Sequence, residues 1–107
     1  MKPAALIFAA LLLAGCAPVT IGRINADPSR FQNRTVKVEG TVTNSVGVLG
    51  RGGYELEDPT GKIYVISGRG VPSRGSKVEV TGRVSPGVEL LGTPVGVAIR
   101  EESHRVK

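Results

Sequence analysis

The 107-residue chain has no tryptophan and a single cysteine, and it has one histidine, two tyrosines and two phenylalanines. One cysteine rules out an internal disulfide. One histidine beside it leaves a zinc site without enough nitrogen and sulfur ligands. With so few rings there is little from which to build a base-stacking platform. No apolar run reaches the roughly 20 residues that a helix needs to cross a hydrocarbon core. Glycine, by contrast, occurs 15 times, and the net charge is +5. That excess permits attraction to anionic headgroups or wall polymers, but is too small by itself to argue for nucleic acid.

The one cysteine closes the first apolar stretch. Lys2 puts positive charge at the extreme N-terminus, Ala4–Leu13 is uncharged and apolar, and Ala14 and Gly15 are small. This is the order of a cleaved secretory signal. Leu13-Ala14-Gly15-Cys16 resembles the lipobox of bacterial lipoprotein precursors. That resemblance implies cleavage before Cys16, lipidation of its thiol and anchoring to membrane lipid. Two or more acyl chains give stable anchoring where one gives only marginal binding. Ala17 stands where an aspartate tends to hold lipoproteins at the inner membrane of two-membrane cells. The resemblance therefore implies the outer membrane if the cell has two.

After the signal the chain reads as one small all-β domain. Val36, Val38 and Val42 alternate with polar residues, and Val78, Val80 and Val84 do the same. Both stretches follow V-x-V-x-G-x-V, with Gly40 and Gly82 on the valine face, where a strand can bend. Tyr54–Glu57 and Lys62–Ile66 flank Asp58-Pro59-Thr60-Gly61, a turn in which Pro59 presets one dihedral and Gly61 permits a positive one. They form a hairpin, with Tyr54 and Leu56 inward. Val95, Val97 and Ile99 supply a fifth strand, while Ser85-Pro86-Gly87 reads as a break after the fourth. Asp27 and Pro28 open a helical turn as cap and first residue, and Phe31 and Ile24 plug one end of the core. Ser67–Ser76 is a loop, and Glu101–Lys107 a charged, frayed tail. The expected organisation is residues 1–15 as signal, 16–33 as lipidated cysteine, linker and helical turn, 34–101 as barrel and 102–107 as tail.

Five strands, a hairpin of the second and third, and glycine-bent first and fourth strands resemble the OB-fold barrel. The alternatives are an SH3-like barrel or a small β-sandwich. OB-folds bind ligands on the outer face of strands two and three and on flanking loops. On that basis Tyr64 and Arg51 are the candidate ligand contacts. Glu55 and Glu57 point outward on the same face and would repel a phosphate backbone, so nucleic acid is not the favoured partner. Arg69 and Arg74 belong to the loop at the other end and read as solvated charges. The stretch "GRGVPSRG" lacks the Lys-Ser or Lys-Thr ending and the helix of a phosphate loop. The haem chaperone of cytochrome c maturation is also a membrane-anchored OB barrel and binds haem through His-x-x-x-Tyr. This chain has no tyrosine after His104, and no cofactor or metal is expected. Glu101 and Glu102 are neighbours on a strand and face opposite sides, and no nucleophile-base constellation is visible. The expectation is a non-catalytic, lipid-anchored envelope module that binds another envelope protein, a glycan or a small ligand. The alternatives are an OB-fold nucleic-acid binder and a structural component of an envelope assembly.

Overall fold

Valines on alternate positions put one apolar face on each long strand, and burying that face requires the sheet to roll up. The computed structural model describes residues 18–48, 51–90 and 92–107, with the side chains of 46–48, 51, 90, 93 and 95 outside the description. Two short helices, α1 (Ile21–Ala26) and α2 (Pro28–Phe31), precede five strands. These are β1 (Thr35–Val48), β2 (Arg51–Asp58), β3 (Gly61–Ser67), β4 (Lys77–Leu90) and β5 (Thr93–Val106). They close into a barrel in the order β1-β2-β3-β5-β4. β1 pairs antiparallel with both β2 and β4, and β3 meets β5 in parallel at Tyr64–Ile66. The core is aliphatic: Val38, Val42, Leu56, Val65, Val80, Val84 and Ile99 are buried. Ile21, Ile24 and Phe31 join the same cluster from the helices, so the expected plug is present.

Gly40 and Gly82 do more than bend their strands. A Cβ on Gly40 would lie 2.6 Å from the Glu57 carbonyl oxygen and 2.9 Å from Leu56 Cγ. One on Gly82 would lie 2.4 Å from the Arg100 carbonyl oxygen and 2.7 Å from Ile99 Cγ2. Both positions are close crossings at which a neighbouring strand takes the space of a side chain.

The β2–β3 turn also holds α1 in place. The Ile21 N–H donates to Asp58 Oδ2 at 2.9 Å, and the Gly22 N–H donates to Thr60 Oγ1 at 2.7 Å. These N–H groups open the helix and have no partner within it. Asp58 Oδ1 accepts the N–H groups of Thr60 and Gly61 at 2.7 and 3.1 Å, and the Thr60 hydroxyl. Burial pushes the Asp58 carboxyl up, but the hydrogen bonds outweigh it and hold the group below its ordinary value.

Three local expectations change. The stretch expected to fray is the end of β5, which runs to Val106; Glu79–Arg105 and Val80–His104 are in register across β4. Outward Ser103 and Arg105 flank His104, Glu101 turns inward across a register irregularity, and the charge count concealed the strand. β4 does not stop at Ser85-Pro86-Gly87. The register shifts between Ser85 and Val88 and the strand resumes, with Pro86 taken up at the irregularity. Asp27 occupies the cap position of α2, but its side chain makes no capping bond. Its carboxylate instead accepts the Ser29 hydroxyl at 3.1 Å and lies 3.6 Å from Arg30 Nε.

Candidate functional site

Strand parity sorts the hairpin residues. Tyr54 and Leu56 of β2, and Ile63 and Val65 of β3, point into the core. Glu55, Glu57, Lys62 and Tyr64 are therefore carried on the outer face, with Glu55 opposite Tyr64 and Glu57 opposite Lys62. Tyr64 lines a cleft of about 240 Å³ together with Asn25 of α1, Glu55, Lys62, Ile63 and Val97 of β5. The cleft's polar walls are already fixed. The Thr43 hydroxyl donates to Glu55 Oε1 at 2.7 Å, Asn25 Nδ2 donates to the Lys62 carbonyl at 2.8 Å, and Lys62 Nζ lies 3.8 Å from Glu57 Oε2. A ring face, a carboxylate and an apolar floor suit a small ligand with both an apolar face and hydrogen-bonding groups.

Of the candidate contacts, Tyr64 lines this cleft. Arg51 opens β2 opposite Val48; its side chain lies outside the described residues. Arg69 and Arg74 are exposed in the β3–β4 loop, where no helix forms. Cys16, the candidate attachment point, lies outside the described residues. Among those residues, no helix is long and apolar enough to cross a membrane, and no three acidic, histidine or cysteine side chains are grouped to hold a metal.

The inside of the barrel holds a polar cluster that the linear sequence conceals. The Tyr54 hydroxyl donates to Glu101 Oε1 at 2.5 Å, the Ser67 hydroxyl donates to Glu101 Oε2 at 2.7 Å, and His104 Nδ1 lies 2.7 Å from Oε1. The Glu101 side chain is 0% exposed and that of His104 is 19% exposed. The rings of Tyr54 and His104 meet edge to face, with centroids 6.2 Å apart. Burial, followed by the Glu101 carboxylate, pushes the Tyr54 phenol far up, so it remains a donor. Ser67 also anchors the next loop, with its oxygen 2.8 Å from the Gly70 carbonyl and accepting the Arg69 N–H at 3.1 Å.

This cluster joins β2, β3 and β5 around one carboxylate. Ser67 contacts that carboxylate rather than the imidazole, so the base-on-nucleophile contact of acyl-transfer sites is not made here. A signal for the cluster does exist in the strand periods. Ser67 continues the inward Ile63–Val65 series, and Glu101 continues Val97–Ile99; Val65 and Ile99 are partners across β3 and β5. Two polar residues at adjacent inward positions of neighbouring strands can satisfy each other.

No protein-family model and no curated protein matches the chain. Solved structures do. A segment of the asparaginyl-tRNA synthetase from Pyrococcus horikoshii superposes with a TM-score of 0.66 at 19% identity, over 85% of this chain. The chain spans only 23% of that enzyme's length. The hypothetical protein ygiW from E. coli is similar over 85% of this chain and 90% of its own, with a TM-score of 0.61 at 19% identity. At such identity the likeness is one of fold. With the strand order above, it makes this chain a small OB-fold barrel.

Proposed function

We propose that the chain is a lipid-anchored cell-envelope protein whose barrel is a non-catalytic binding module. The observation that carries the binding half is the Tyr64 cleft, which lies on the outer β2–β3 face that OB-folds use for ligands. The anchoring half is supported by Leu13-Ala14-Gly15-Cys16, and Ala17 favours the outer of two membranes. The partner is another envelope protein or a glycan. The lipidated protein, isolated from membranes and used as bait, is expected to retain one such partner, and Tyr64→Ala is expected to weaken that retention about tenfold or more. Equal retention by the variant would remove the cleft from the account. Labelled fatty acid is expected to enter the native chain and not Cys16→Ser; incorporation into the variant would refute the attachment site.

A second reading, nucleic-acid binding, draws on the likeness to a segment of a tRNA synthetase. Glu55 and Glu57 on the β2–β3 face oppose it, because two carboxylates there repel phosphates. Retention on single-stranded DNA at low salt, lost on Tyr64→Ala, would establish it against the first reading. No such retention is expected.

A further inference from the structure

The barrel has a second outer face whose charge is opposite in character to that of the hairpin. Across β4 and β5, Arg83 is directly opposite Arg100, and both are exposed. Like charges at opposed positions repel. Among the described residues neither arginine makes an ion pair. Lys37 of β1, opposite Thr81, is two register positions from the Thr35–Arg83 pair. The carboxylates further along the same strands are neutralised: Glu79 lies 3.3 Å from Arg105, and Glu39 lies 2.6 Å from Lys107. Glu102 is the remaining exposed acid on this stretch of β5. The chain reaches this face from its N-terminal side, where the Val19 N–H donates to the Lys37 carbonyl at 2.9 Å. Cys16 is three residues before Val19 in sequence, a chain reach of at most about 11 Å.

From these positions we infer that the β1–β4–β5 face lies on an anionic bilayer surface, with Lys37, Arg83 and Arg100 toward the headgroups. The inference rests on the reading of Cys16 as the lipid anchor. The short connection brings the face to the membrane, and charge complementarity selects which side faces down. The β2–β3 cleft is then on another side of the barrel, open to a partner. Each basic residue near an anionic surface is worth roughly fivefold, so Arg83 and Arg100 together set a preference of about 25-fold, weakened by salt.

The test uses the full lipidated chain on vesicles of phosphatidylcholine alone or mixed with phosphatidylglycerol. With Cys16 acylated, a nitroxide is attached at Ser103→Cys on this face or at Asn44→Cys on the far part of β1. Accessibility to a water-soluble nickel complex is the readout. The Ser103 label is expected to be shielded several-fold more on the anionic vesicles and the Asn44 label to be unchanged. Arg83→Glu with Arg100→Glu is expected to abolish the shielding while near- and far-ultraviolet circular dichroism show the fold intact. Flotation with both vesicle types but equal accessibility at Ser103 would overturn the orientation and leave the anchor standing. Such a result is also expected if the face serves a free polyanion instead. Failure to float with either vesicle type would overturn the anchor and the orientation together.

Discussion

Asp58 and Glu101 are both hydrogen-bonded carboxylates, but they gather their partners differently. Asp58 takes two backbone N–H groups and a hydroxyl from its own turn, plus the Ile21 N–H. Glu101 takes side chains 34 and 47 residues away as well as His104 three residues on, and its side chain is fully buried. Asp58 therefore organises a local turn and docks a helix on it, whereas Glu101 exists as a satisfied group only once three strands have met. A half-exposed carboxylate can fall back on water; a buried one cannot.

Replacement of each residue should separate the two. Glu101→Ala is expected to cost about 3 kcal/mol in urea unfolding, because Tyr54 and Ser67 lose a buried acceptor. A loss near zero would mean that the cluster contributes nothing to the barrel. Tyr54→Phe, which removes one donor and keeps the ring, is expected to cost about 1–2 kcal/mol at neutral pH. That difference has its own pH signature. The native phenol is held protonated while the unfolded one ionises from about pH 10 upward, so the Tyr54 contribution should shrink above pH 10. A difference constant to pH 11 would contradict the raised phenol. Asp58→Ala is expected to cost about 1 kcal/mol, as for loss of a helix cap. The smallest effect is in acid. The native Asp58 carboxyl is held below its ordinary value, so its contribution is complete above about pH 4 and is lost as the pH falls below that range. The stability gap between the native chain and Asp58→Asn should narrow between about pH 4 and pH 2, and a gap that widens would reverse the assignment.

The same contrast explains what could be read from the sequence. Asp58-Pro59-Thr60-Gly61 declared its turn because its chemistry is local. Val36–Val42 and Val78–Val84 declared two strands by alternation, with Gly40 and Gly82 as bend points, and the hairpin and the Val95–Ile99 alternation complete the five; that the glycines are close crossings is visible only in the fold. Glu101 and His104 were hidden by their neighbours. In a stretch dense with charge, an inward carboxylate looks like any other until the opposing Ser67 and Tyr54 are known. β5 was cut short for the same reason. Pro86 was misleading in the other direction, because a proline normally ends a strand and here sits at a register shift. Tyr64 could be placed on the outer face from the hairpin alone. The cleft beside it depends on Asn25 and Val97, which only the closed fold brings there.

We propose that a binding barrel of the OB type is held at a bilayer through Cys16. Intact mass spectrometry of the protein recovered from its own cells tests this most directly. The expected product begins at Cys16, carries acyl chains on that residue and fractionates with membranes. A product that retains Met1–Gly15, or one with a free Cys16 thiol in the soluble fraction, would contradict the account.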